Sequence, residues 1–117
     1  MSTLYGRDWS RTELLCHIGE LSQIAGWRLS ELMDGVERGN RVAEFRSGGG
    51  LNFSVMLDRG MDIGDAEYCS VPLAWLSMAG FVAPSFFEPE GLGWLRTFGG
   101  GLLTGCGMTY LGSPSED

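Results

Sequence analysis

Between positions 51 and 58 the chain alternates without a break: Leu51, Phe53, Val55 and Leu57 take one set of positions, and Asn52, Ser54, Met56 and Asp58 take the other. This period of two predicts a β-strand with one face in a core. The strand pattern ends in Asp58-Arg59-Gly60-Met61-Asp62-Ile63-Gly64, where three charged side chains stand beside two glycines. Gly60 and Gly64 permit backbone angles closed to other residues, so Asp58, Arg59 and Asp62 are expected together at the rim of a sheet, on a rigid mount.

Upstream, Ser10 and Glu13 have the spacing of a capping box, with Asp8 as the alternative cap, and predict a short helix over 11–16. Leu21, Ile24 and Trp27 are too few for a full helix and predict a helical turn leading into a strand over 27–33. Asp34-Gly35 and Gly39-Asn40 are turn signals. Strands over 41–46 and 51–58, joined by Ser47-Gly48-Gly49-Gly50, predict an antiparallel hairpin.

Downstream, residues 61–68 predict a further strand, and residues 72–77 an edge or strand start, because Pro72 has no N–H to donate to a ladder. Residues 78–98 read as a loop unusually dense in aromatics: Phe81, Phe86, Phe87, Trp94 and Phe98. Within it Glu90 is expected to cap a short helix over 91–96. Residues 100–110 predict a glycine-bent strand or strand pair, and residues 113–117 a polar tail.

Composition sharpens this reading. At 117 residues the chain has the length of one domain, enough to bury about two thirds of the surface of its unfolded form. Nineteen glycines disfavour helices and suit the corners and bulges of bent sheets, so the chain leans all-β. A formal charge of −7, with no basic run, argues against a nucleic-acid surface. All eight basic residues are arginine, which reflects codon usage more simply than mechanism. No stretch approaches the roughly 18 apolar residues of a membrane span, and the first residues lack the apolar segment of a signal peptide. Cys16, Cys69 and Cys106 are widely spaced, and His17 is the single histidine, which disfavours zinc and suits free thiols in a cytoplasmic protein. Asp58, Asp62 and Asp65 lack the spacing of a calcium loop, so no metal is expected. The glycine run Gly99-Gly100-Gly101 lacks the Lys-Ser/Thr of a phosphate loop and is better explained by close sheet packing.

Four segments in order carry a family resemblance. They are the DRGMDIG stretch; Val71-Pro72-Leu73-Ala74-Trp75-Leu76-Ser77; Phe87-Glu88-Pro89-Glu90-Gly91-Leu92-Gly93-Trp94-Leu95-Arg96; and the glycine-rich segment from Phe98 to Gly107. Together they resemble the aldose 1-epimerase-like families of the galactose mutarotase superfamily, in particular a bacterial branch known as a domain of unknown function. The resemblance covers residues 19–112. It implies an antiparallel β-sandwich of the mutarotase type, here with a short N-terminal helix, and a small-molecule sugar as ligand, with no cofactor. Members of these families are longer chains that continue into a His-Gly-containing segment. Residues 1–117 are therefore expected to be the N-terminal portion of such a domain, ending before the catalytic segment, with open sheet edges that invite homo-oligomerisation.

Mutarotation needs a base at the anomeric hydroxyl and an acid at the ring oxygen, which the resemblance assigns to a glutamate and a histidine. Nothing here matches either: His17 lies outside any family motif, and Glu88 and Glu90 do not correspond to the catalytic glutamate. No catalytic residue is assigned. Arg59 and Asp62 are the leading candidates for binding sugar hydroxyls, the alternative being an ion pair that braces the bend, with Asp58 or Asp65 as further partners. Trp94 offers a ring to stack on a pyranose and Arg96 a charged fork nearby, whereas Trp75, inside an apolar strand, is expected to fill the core. The implied function is carbohydrate binding without catalysis; a complete sugar-binding or sugar-sensing module of a different kind is the alternative.

Overall fold

The computed structural model describes residues 2–105. Strands β1 (Ser2–Leu4) and β2 (Arg7–Trp9) form an antiparallel hairpin. Helix α1 (Arg11–Leu15) follows with the expected capping box: the Glu13 N–H donates to Ser10 Oγ (3.2 Å) and the Ser10 N–H donates to Glu13 Oε2 (2.9 Å). Cys16, expected inside the helix, is its C-cap. The helical turn before the first long strand is a 3₁₀ turn, Leu21–Gln23.

Strands β3 (Gly26–Glu31), β4 (Arg41–Arg46), β5 (Leu51–Met56), β6 (Asp62–Tyr68) and β7 (Val71–Pro72) build one antiparallel five-stranded sheet in that spatial order. The Ser47-Gly50 hairpin forms because Gly48 and Gly50 take positive φ (74° and 99°) while Ser47 Oγ accepts from the N–H groups of Gly49 and Leu51. β6 starts at Asp62, one residue later than expected, because Met61 takes φ 62° in the bend. Two-residue strands β8 (Trp75–Leu76) and β9 (Gly100–Gly101) pair with one another, and the chain after β9 bonds to the start of β6: the Leu102 N–H donates to Ile63 O and the Ile63 N–H to Leu103 O, both at 2.9 Å. The class is all-β and antiparallel with one short helix. Residues 106–110 of the expected glycine-bent strand, Cys106 and the polar tail lie outside the described residues.

The loop between β8 and β9 contains two 3₁₀ turns, Pro84–Phe86 and Gly93–Thr97. The expected helix over 91–96 is thus a 3₁₀ turn, and Glu90 does not cap it with its side chain: the N-cap is Leu92, and Glu90 contributes only its carbonyl to the Gly93 N–H. Trp75 is not core either. β8 is a two-residue edge ladder, and the Trp75 residue stays 65% exposed, resting against the backbone of Gly100.

The core sits where the loop folds back on the sheet. Met56 and Val42, side by side in the register, are almost fully buried, and the Phe81 ring comes down beside Met56 against Gly64. Asn40, itself buried, donates through Nδ2 to Phe81 O at 2.6 Å, and the Ala83 N–H donates to Val36 O, fixing the loop in place. The alternation in β5 therefore works opposite to expectation at one point: Met56, from the set expected to face solvent, is the largest fully buried side chain among the described residues, while Phe53 and Val55 are only half-buried. The fold-back of residues 80–83 covers the Met56 face, a long-range contact that period-2 reasoning does not contain.

A Cβ on Gly64 would sit 2.9 Å from the Phe81 ring and 3.0 Å from Met56 Cγ. Gly64→Ala should lower stability by about 1–3 kcal/mol through overpacking. Gly49→Ala, which meets only Ser47 Oγ at 3.8 Å, should change it by less than about 1 kcal/mol. Urea unfolding midpoints of the two variants against the parent chain decide this.

Candidate functional site

The bend after β5 is held by two ion pairs that use its charged residues separately. Asp58 turns back to the start of β4, where it accepts from the Arg41 N–H (2.9 Å), Arg41 Nη2 (2.6 Å) and Arg41 Nε (3.0 Å). These bonds, the side-chain ones foremost, hold the Asp58 carboxyl below the ordinary aspartate range. Arg59 and Asp62 pair with each other, Nε to Oδ2 at 3.3 Å, with side-chain exposures of 21% and 5%. The other Asp62 oxygen accepts from the Gly105 N–H. Asp62 thus joins the bend to the chain that follows β9.

Aromatic residues of the loop extend this cluster. The Arg59 guanidinium lies 5.6 Å from the centre of the Phe98 ring, and Trp94 meets the same ring edge-on at 5.5 Å. Gly99 lies where a Cβ would collide with the Gly80 carbonyl and approach Arg59 Nη1 to 2.9 Å, so glycine is required by close approach, as the glycine run suggested. Three of the four candidate residues, Arg59, Asp62 and Trp94, therefore form one contiguous group through Phe98. Arg96 turns away to an exposed pair with Glu88. Phe98 and Gly99 are the members that spacing alone did not single out for a site; the only signal was the aromatic density of the loop.

The opposite end of the same sheet carries a different surface. Because side chains alternate, Arg28, Glu44 and Ser54 align across β3, β4 and β5, and Arg46, Asn52 and Glu67 align across β4, β5 and β6. A register shift between Phe53 and Val55 brings Asp65 beside Ser54, whose Oγ accepts from the Asp65 N–H at 3.1 Å. These residues line an open groove of about 690 Å³. Arg28 Nε donates to Glu44 Oε2 (2.7 Å), Ser30 Oγ donates to the same oxygen (2.6 Å), and Asn52 Nδ2 donates to Glu67 Oε1 (2.8 Å). Arg28 first, then Ser30, lowers the Glu44 carboxyl below its usual range. Arg46 reaches the Ser22 carbonyl at the rim. Asp65 was read from the sequence only as a partner in the brace of the bend, and the other positions were not read as candidates; the signal was the polar half of the β4 and β5 alternation.

Among the described residues no group of three His, Cys, Asp or Glu side chains is placed to hold a metal ion. His17 lies edge-on to Trp9, ring centres 5.5 Å apart, near the N-terminus. Cys16 and Cys69 are exposed thiols. No helix among the described residues is long and apolar enough to cross a membrane.

Fold and surface together define an all-β domain with a braced bend at one end of its sheet and a polar groove at the other. Residues 37–117 match the family model described as "Domain of unknown function (DUF4432)", and the chain belongs to that family. No curated protein and no solved structure matches the chain.

Removing one partner of a largely buried ion pair leaves the other charge uncompensated. Arg59→Ala should therefore cost about 2–4 kcal/mol, read as a shift of the urea midpoint. A change below about 0.5 kcal/mol would show that the pair does not brace the bend. The lowered carboxyls of Asp58 and Glu44 also give a sign for acid stability. The unfolded chain takes up protons at these groups before the folded chain does, so their contribution is complete above the ordinary carboxylate range of about 4 and is lost as pH falls through the lower folded values. Urea midpoints should fall between pH 5 and pH 3, within about that window, and Asp58→Asn should flatten the fall.

Proposed function

We propose that this chain is a carbohydrate-binding protein that holds an aldose against the polar face of β3, β4, β5 and β6, and that it does not by itself interconvert anomers. The observation that carries the reading is the groove of about 690 Å³, within the size range of small-molecule sites. Its floor alternates guanidinium, carboxylate, amide and hydroxyl groups. A sugar presents neighbouring hydroxyls, each both donor and acceptor, and such a floor offers both kinds of partner: Arg28 and Arg46 donate, Asp65 and Glu67 accept, and Asn52 does either. The segment order shared with aldose 1-epimerase-like families supports the same ligand class.

The absence of catalysis rests on the available acid and base groups. His17 is the sequence's single histidine and packs on Trp9, and Glu88 is engaged with Arg96. Neither lines the groove, whose titratable groups are the carboxylates Glu44, Asp65 and Glu67, so the glutamate–histidine pair that the resemblance assigns to the two proton transfers is not assembled there. A second location is favoured by one observation: Trp94, Phe98 and Arg59 are contiguous, and Trp94 is 40% exposed, so its ring has an accessible part on which a pyranose can stack.

Titration of the full chain with a panel of aldoses, followed by NMR, tests both. Saturable shifts are expected, with Asp65→Ala and Arg46→Ala weakening binding by roughly tenfold or more and Trp94→Ala leaving it unchanged. Loss in Trp94→Ala with the groove variants intact would move the sugar to the bend. No saturable binding by a folded chain would overturn the reading. The same samples should leave the polarimetric rate of mutarotation at its buffer value; a rate clearly above buffer would restore catalysis to the chain.

A further inference from the structure

The register of the sheet sorts the charges of the groove by strand. Its two guanidiniums, Arg28 and Arg46, stand with Glu44 on β3 and β4; Asn52 and Ser54 occupy β5 in the middle; Asp65 and Glu67 stand on β6. The charges on the two sides are not equally free. Arg28 donates through Nε to Glu44 Oε2 at 2.7 Å and through Nη2 to Glu44 Oε1 at 3.4 Å, so the two largely cancel each other. The charge of Arg46 also acts on the Glu44 carboxyl and helps to hold it below its usual range. Three carboxylates stand against two guanidiniums, and the excess negative charge lies on β6.

No arginine or histidine of the chain neutralises that excess. All eight arginines and the single histidine fall within residues 2–105, the sequence contains no lysine, and the arginines that form ion pairs do so with Glu13, Glu44, Asp58, Asp62 and Glu88. Among the described residues Asp65 is held only through its backbone, whose N–H and carbonyl meet Ser54 Oγ, and Glu67 accepts one bond, from the neutral Asn52 amide. Two positions apart on one strand, Asp65 and Glu67 have Cα atoms about 7 Å from each other, close enough for one small cation to meet both side-chain ends. Like charges at that spacing repel, and a cation between them relieves the repulsion. Divalent metal ions need more oxygen ligands than this pair supplies, and among the described residues no third His, Cys, Asp or Glu completes a metal site. The cation that suits the pair is one that donates directed hydrogen bonds, an ammonium.

We propose, on the reading of the groove as the sugar site, that its ligand is an aldose bearing a protonated amine, with the ammonium between Asp65 and Glu67 and the ring hydroxyls toward Asn52, Ser54 and Arg46. From β4 to β6 the sheet spans about 10 Å, a width that a pyranose with its substituents bridges. The amine then meets the side that lacks a cation, and the hydroxyls meet the side where donors and acceptors already balance. The same pattern works against acidic sugars. Arg28 is taken by Glu44, so a uronate or sugar phosphate would have Arg46 alone, itself bonded to the Ser22 carbonyl, and would approach against the −7 charge of the chain. Neutral aldoses fall between the two.

The test is an NMR titration of the full chain with glucose, glucosamine and glucuronate and with the matching galactose set, at about pH 6, where the carboxylates are ionised and the sugar amine is protonated. The expected order of affinity is amino sugar, neutral sugar, uronate. The amino sugar should bind roughly 3–10-fold more tightly than its neutral parent at low ionic strength, and this ratio should fall toward one in about 0.5 M salt. Asp65→Asn combined with Glu67→Gln keeps the shapes of both side chains and should also bring the ratio to about one. The ratio is insensitive to a loss of affinity common to both sugars, and the salt series on the parent chain decides the matter even if the double variant fails to fold. Equal affinity for amino and neutral sugars, tighter binding of the uronate, or a preference that persists in high salt or in the folded double variant would overturn the proposal while leaving the groove a sugar site. Failure of all these sugars to bind the folded chain would overturn the reading of the groove itself, and the proposal with it.

Discussion

Asp62 is a carboxylate at 4% exposure, and most of what lies beyond β5 is arranged around it. A buried carboxylate is stable only with its oxygens satisfied and its charge opposed. Arg59 opposes the charge from three residues earlier, and the Gly105 N–H reaches it from far along the chain. To bring that N–H there, the chain must cross the start of β6 closely, which the bonds of Leu102 and Leu103 to Ile63 accomplish. Only glycine fits the approach: a Cβ on Gly101 would lie 2.7 Å from the Ile63 carbonyl, and one on Gly99 would strike Gly80. The DRGMDIG bend and the glycine run are thus two halves of one device, separated in sequence by a loop whose aromatics, Phe98 and Trp94, pack on Arg59 and on each other.

The same sheet is asked to do different things at its two ends. Near the bend, Val42 and Met56 lie under the folded-back loop, and the polar face is closed by Phe81 and the Asn40 bond to its carbonyl. Toward the hairpin at Ser47-Gly50 the same face is uncovered, and its side chains become charged or amide-bearing: Glu44, Arg46, Asn52 and Glu67. One strand face changes from core to groove within two residues, between Met56 and Ser54. The register shift in β6 at that level lets Asp62 face inward at one end while Asp65 and Glu67 line the groove at the other.

Much of the fold was legible because local physics decided it. The capping box of Ser10 and Glu13, the glycine hairpin and the strands at 41–46 and 51–56 follow from propensities that act over a few residues. What was not legible depends on contacts between distant segments. Met56 is buried by Phe81, 25 positions later by number, and Trp75 is exposed because its strand finds only a two-residue partner at Gly100 and Gly101. Of the site, Arg59, Asp62 and Trp94 were singled out by residue type and setting, but the ring of Phe98 that joins them required the three-dimensional path of the loop. The groove was invisible as a site for a plainer reason: alternating polar residues on a strand look the same whether they face bulk water or a concave surface.

The ion pair at the bend and the groove place different demands on their charges. Arg59 and Asp62 are drawn out of water and face each other, so the energy of their interaction goes largely into holding the chain in place, and a ligand approaching them would have to compete with a satisfied pair. In the groove the charges lie at an open surface: Glu44 is bonded through both oxygens, to Arg28 and Ser30, whereas Glu67 uses one oxygen, to Asn52, and keeps the other accessible. A hydroxyl replacing water there gives up little and gains a directed bond. This is why the reading of the bend as a brace and the reading of the groove as a ligand surface belong together: the brace keeps β5 and β6 in the register on which the order of donors and acceptors across the groove depends.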